Sequence, residues 1–162
     1  MPELTLEELR TNAETQKHVD LVRLLLKDFA IQLLDRGVAH DQSKFSEAEL
    51  PVFTEYTAKL KGTTYGSDEY KQYLAEMKPA LDHHYANNRH HPEFFENGIR
   101  DMTLVDLVEM LFDWWASTQR HEDGDIFRSI ILNEKRFNIP PELSDIFRNT
   151  ITSFILRKYS WP

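Results

Sequence analysis

The chain has 162 residues, 41% hydrophobic and 28% charged, with a formal net charge of −8 and no cysteine. That length suits one domain with one real core, spanning residues 1–162, and the missing thiols exclude disulfide staples, zinc fingers, iron–sulfur clusters and thiol catalysis. The acidic balance argues against a nucleic-acid polymer as partner, because such binding rests on phosphate neutralisation by Lys and Arg.

No apolar run reaches the roughly 18 residues of a membrane span, and Met1–Arg10 is acidic and amphipathic, without the basic and apolar regions of a secretory signal. The expectation is a cytoplasmic protein away from membranes.

In chain order, Thr5-Leu6-Glu7-Glu8 reads as a capping box that opens a helix near Leu6. Val19, Val22, Leu25, Leu26, Phe29, Ile31 and Leu33 continue at helical spacing to Arg36, with Gly37 as the expected stop. His18 shares a face with Val22, Leu25 and Phe29 and is expected to point inward. After His40-Asp41, a second capping signal, Ser46-Glu47-Ala48-Glu49, predicts a helix to about Lys61 with Pro51 in its first turn. Ser67 caps a helix from Asp68 that Pro79 should kink or split, and its far end carries His83 and His84.

Thr103-Leu104-Val105-Asp106 caps the most apolar helix, running to about Thr118 and expected to be the central buried one. Asp106, Glu109 and Asp113 fall on one side of it, and Asp106 reads best as a first-turn capping acid. Two more helices are expected, Asp125 to Phe137 and Pro141 to Lys158, separated by Ile139-Pro140-Pro141. His121, in a polar turn, reads as surface. No β-alternation persists, so the fold class is all-α, a bundle of about six to seven helices. Trp114 and Trp115 read as core; with Trp161 they also leave room for an interface, so a homo-oligomer stays open.

The densest chemistry lies in Asp82–Glu93, where His83, His84, His90 and His91 share twelve residues with two carboxylates. Neither a hydrophobic core nor a solvated loop has a physical reason to hold such a set. With sulfur absent, a metal here must sit on nitrogen and oxygen, which suits Mn, Fe, Co, Ni or Zn rather than an all-oxygen calcium site. Adjacent helical residues diverge by about 100°, so one of His83 and His84 faces the metal and the other bonds elsewhere; His84 is the expected ligand. Glu109 is a candidate to orient a ligand imidazole. Arg89 reads equally well as a phosphate-binding cation and as a turn residue.

The order His18, His40-Asp41-x-x-Lys44, His84, His90-His91, Asp113 resembles the HD-domain metal-dependent phosphohydrolase superfamily. The phrases His40-Asp41-x-Ser43-Lys44-Phe45, His83-His84-x-x-x-Asn88-x-His90-His91-Pro92-Glu93 and Met102-Thr103-Leu104-x-Asp106-x-x-Glu109-Met110-x-x-Asp113-Trp114 look most like an uncharacterised HD-like family common in phages and bacteria. The resemblance covers roughly residues 11 to 150. It implies that His18, His40, Asp41 and Asp113 hold a first metal, that Asp41 bridges to a second, and that His84, His90 and His91 complete a binuclear site. Lys44 matches a lysine that neutralises phosphate charge, so Asp41 and Lys44 are the expected catalytic residues, with His83, Asn88, Arg89 and Glu109 around them.

The implied activity is hydrolysis of a phosphate ester in a small nucleotide by metal-activated water, since two ions about 3.5–4 Å apart can hold a hydroxide and polarise a phosphoryl oxygen. The competing expectations are an HD-type di-iron oxygenase and a non-catalytic metal- or nucleotide-binding module. A glutamate often follows the HD pair in the nucleotidase branch of the superfamily that the chain resembles; here Glu47 and Glu49 are the acids that follow Lys44.

Overall fold

The computed structural model describes residues 4–63, 67–120 and 124–160, so His121, Trp161 and parts of the loops expected at 61–66 and 122–125 lie outside the described residues. Its Cα packing divides the chain into two compact units, Met1–Ala39 and His40–Pro162. Among the described residues the structure is all-α, with seven α-helices and no strand. No helix is long and apolar enough to cross a membrane.

The first unit is one helix, α1 (Leu6–Ala39). The Thr5–Glu8 capping box forms: the Thr5 amide and hydroxyl each donate to Glu8 at 2.7 Å, and the Glu8 amide donates to Thr5 Oγ1 at 3.3 Å. One expectation is corrected here. Gly37 does not end the helix, which runs on to Ala39, and the first left-handed residue is Asp41 instead. Within this unit taken by itself, His18, Val22 and Leu25 are exposed. The reason is that the unit is a single helix, and a lone helix has nothing of its own to bury a face against.

The second unit continues with α2 (Leu50–Lys61), α3 (Asp68–Glu76), α4 (Lys78–Asn87), α5 (Leu104–Thr118), α6 (Ile126–Phe137) and α7 (Pro141–Ser160), with short 3-10 turns at Gln42–Phe45, Pro92–Phe94 and Gly98–Asp101. Ser67 accepts from the Tyr70 amide at the start of α3, and Pro79 splits the long expected helix at Met77, because the ring offers no amide to the preceding turn. Ser46 and Glu49 do not form the expected capping box: α2 starts at Leu50, and the Glu49 side chain makes no cap bond.

The core lies where α5, α6 and α7 meet. Leu107, Met110, Leu111 and Trp114 of α5 pack with Ile126, Ile130, Ile139, Phe147 and Ile151, as the apolar character of α5 foretold. Helix α6 ends on Asn138, left-handed at φ 50°, whose amide bonds back to the Glu134 carbonyl and turns Ile139 into the core. At the other end of α5, Thr103 and Asp106 satisfy each other's amides, Thr103 N to Asp106 Oδ2 at 2.9 Å and Asp106 N to Thr103 Oγ1 at 3.3 Å. That box fixes the α5 register and hence where Glu109 and Asp113 emerge.

Candidate metal centre

Three segments of the second unit build the centre. Asp41 precedes the Gln42–Phe45 turn in the left-handed region, φ 57°, which costs an L-residue energy but is best tolerated by Asp and Asn. The last turn of helix α4 carries His84, and the following loop carries His90 and His91 before Pro92 starts the next 3-10 turn. Helix α5 contributes Glu109 and Asp113, one turn apart on the same side.

The imidazole Nε2 atoms converge on the Asp41 carboxylate. Oδ1 lies 3.3 Å from His84 Nε2 and 3.5 Å from His90 Nε2. Oδ2 lies 3.5 Å from His40 Nε2 and 2.5 Å from the Lys44 ammonium. His84 Nε2 and His91 Nε2 face each other at 3.0 Å, and His40 Nε2 lies 3.7 Å from Asp113 Oδ1. On the far side of two rings, Glu109 Oε1 meets His40 Nδ1 at 2.9 Å and His90 Nδ1 at 3.1 Å.

Three overlapping groups result: Asp41, His84, His90 and His91; His40, Asp41 and Asp113; and His40, His90 and Glu109. Each offers ligand atoms within 4.8 Å of one another. These are clusters that could hold a metal ion. The fit is tested by two buried atoms at the centre, Asp41 Oδ1 and His90 Nε2, which make no hydrogen bond although each has an orphan partner nearby. Buried polar atoms are ordinarily paired, and leaving one unsatisfied costs about 1–3 kcal/mol. A cation bound between the carboxylate oxygen and the imidazole nitrogens would satisfy both.

The electrostatics point the same way. The His91 pKa is driven down to about 3 by burial, helped by His90 and His84, so this ring is neutral with a lone pair to give. The His40 pKa is raised to about 10 by the carboxylate of Asp113 first and Glu109 second, against burial. Burial pushes Asp41 up, yet His84 and Lys44 outweigh it and hold the carboxyl well below its usual range. Asp113 is also lowered, with burial opposing and His40 prevailing.

Other expected site residues lie as follows. His84 and His90 are buried, 2% and 1% exposed. His83 is turned away from the Nε2 cluster and bonds Glu49 Oε1 through Nδ1 at 2.7 Å. Asn88 spends its amide hydrogens on Ser43 Oγ at 2.7 Å and the His84 carbonyl at 2.8 Å, tying the HD turn to α4. Arg89 is engaged by the protein itself: its Nε and Nη2 reach Asp106 Oδ1 and Oδ2 at 3.2 and 3.0 Å, and it stacks over Phe94 and Phe95. His18 sits exposed on α1 of the first unit, and the three ligand groups are drawn wholly from the second.

One residue was missed. Glu49 is fully buried, with Oε1 on His83 Nδ1 and Oε2 on His84 Nδ1 at 2.9 Å. Its pKa is lowered: burial opposes, and the bonds from His83, Ser43 and His84 overcome it. The sequence offered a competing signal, since Ser46-x-x-Glu49 has capping-box spacing, and nothing local shows a partner more than thirty residues away.

An all-helical unit that gathers histidines and carboxylates around one aspartate is the class of protein defined here. The chain belongs to the family of unknown function DUF5662, whose signature matches residues 7–157. No curated protein and no solved structure matches it.

Proposed function

We propose that this protein is a metal-dependent phosphohydrolase acting on a small nucleotide or another phosphate ester, with one or two divalent transition ions, from among Mn, Fe, Co, Ni and Zn, held by His40, Asp41, His84, His90, His91 and Asp113. The observation that carries the metal is the pair of buried, unbonded atoms Asp41 Oδ1 and His90 Nε2 amid further imidazole nitrogens. The order of these residues, similar to HD-domain phosphohydrolases, supports the reaction class. Nitrogen and oxygen ligands of this mix favour borderline transition cations.

When bound, such ions supply Lewis acidity and lower the pKa of a coordinated water. The protein's own groups do the rest. The two Asp41 oxygens face different ligand sets, which suits a carboxylate shared by two positions. Glu109 orients His40 and His90 through their Nδ1 atoms. The Lys44 side chain, 34% exposed, sits at the rim, where its ammonium can leave Asp41 to meet a phosphoryl oxygen. In a chain of charge −8, an anionic ester needs that local cation.

The test is metal analysis of the protein as purified, followed by a screen of mono-, tri- and cyclic nucleotides with Mn, Co and Ni in anaerobic buffer. Phosphate release lost in His40→Ala and Asp41→Ala supports the reading. Turnover that needs iron and oxygen replaces it with an oxygenase, and stoichiometric metal without any turnover leaves a binding module.

A further inference from the structure

We propose that Glu49 is a positioning residue that locks His84 in the tautomer protonated on Nδ1, so that Nε2 presents its lone pair to the Asp41 centre. The inference deepens the metal reading above and rests on it for its consequence, though the tautomer itself can be observed without metal.

The argument is one of donors and acceptors. Three groups approach His84 Nδ1: Glu49 Oε2 at 2.9 Å, Asn88 Nδ2 at 3.1 Å and Ser43 Oγ at 3.2 Å. If Nδ1 were an acceptor, Asn88 or the Ser43 hydroxyl would have to serve it, and the Ser43 hydroxyl bonds Glu49 instead. The two Asn88 amide hydrogens already go to Ser43 Oγ and the His84 carbonyl, both at shorter distance. Each Glu49 oxygen meets an imidazole Nδ1, and a carboxylate with both oxygens so engaged only accepts. The hydrogen therefore sits on Nδ1 and is donated to Glu49, which leaves Nε2 as the atom that can meet a cation, 3.3 Å from Asp41 Oδ1 and 3.0 Å from His91 Nε2.

A fully buried carboxylate is costly to keep without strong donors. The second donor is His83, whose Nδ1 takes the other oxygen. The adjacent histidines thus divide the work: His84 faces inward, and His83, whose side chain is 40% exposed, completes the carboxylate's bonding from outside. Glu49 and Glu109 hold three of the centre's rings by their Nδ1 atoms, from two sides. Glu109 was foreseeable from its place on α5, whereas the role of Glu49 emerges only from the fold.

The experiment follows His84 by nitrogen NMR in the metal-free full-length protein, and Zn(II) and Co(II) affinity by titration, in the wild type, Glu49→Gln and His83→Ala. The wild-type spectrum should show His84 protonated on Nδ1. Glu49→Gln should lose that preference and bind either ion about 10–100-fold more weakly, the usual cost of removing a metal ligand's outer partner. His83→Ala should keep the tautomer and stay within about threefold of wild-type affinity. A wild-type His84 protonated on Nε2 and not on Nδ1 overturns the assignment whether or not Glu49→Gln folds, as does a Glu49→Gln protein with full affinity and unchanged tautomer. A wild type with the expected tautomer that binds neither ion sinks the metal reading and leaves the Glu49–His84 assignment standing.

Discussion

The Lys44 ammonium lies 2.5 Å from Asp41 Oδ2, while Oδ1 of the same carboxylate is buried without a hydrogen bond. One oxygen is satisfied by the protein and the other is left to the imidazoles of His84 and His90.

Replacing Asp41 by Asn keeps the size and the tolerance for a left-handed backbone but removes the charge. Metal affinity should fall more than about 100-fold, beyond the loss of an outer partner. Helical circular dichroism should be unchanged. Retention of metal in Asp41→Asn, measured by elemental analysis after dialysis, would refute the centre.

Metal uptake should release protons. The metal-free His40 pKa of about 10 lies above its ordinary value of 6.5, so this group stabilises the metal-free fold fully below about pH 6.5 and loses that contribution as pH rises to about 10. A coordinated imidazole must be neutral, so apparent affinity should rise through the same window, most steeply near neutral and alkaline pH. His91, depressed to about 3, behaves oppositely: it destabilises the fold as pH falls below about 6.5 and adds no proton release at neutrality. Calorimetry in two buffers of different ionisation heat measures the proton count, and a count of zero at pH 8 contradicts this account.

Arg89→Ala should act on stability rather than on substrate binding. The guanidinium forks onto Asp106, itself part of the α5 cap, and the residue lies in sequence between Asn88 and His90. Its loss should cost about 1–3 kcal/mol in denaturant unfolding and weaken metal binding by loosening the His90-His91 loop. Arg89→Lys, a point charge without the fork, should recover only part. An unchanged unfolding midpoint with a raised KM would restore the phosphate-binding role weighed from the sequence.

Much of this was legible before folding, for identifiable reasons. Capping signals at Thr5, Ser67 and Thr103 are local chemistry, and each forms as read. The split at Pro79 follows from a missing amide. The Ser46–Glu49 signal misled because the same spacing serves a glutamate whose partners are 34 and 35 residues away. Arg89 was ambiguous because charge alone does not say whether a cation faces substrate or a buried acid. Periodicity sets His18 on an apolar face of α1, and a unit made of one helix has no second element of its own to cover that face.

Ile151→Ala, deep in the α5–α6–α7 core, should cost about 2–5 kcal/mol. Metal affinity per folded molecule should not change, because Ile151 belongs to none of the ligand groups. A parallel fall in affinity, read by titration well below the unfolding midpoint, would mean that core and centre are one cooperative unit.

The left-handed turn at Asp41 places one short side chain where every ligand group but that of His40, His90 and Glu109 must use it. Such a keystone offers no redundancy. A mutational scan should therefore find this position intolerant even of glutamate, whose extra methylene would overshoot both sets of nitrogens at once.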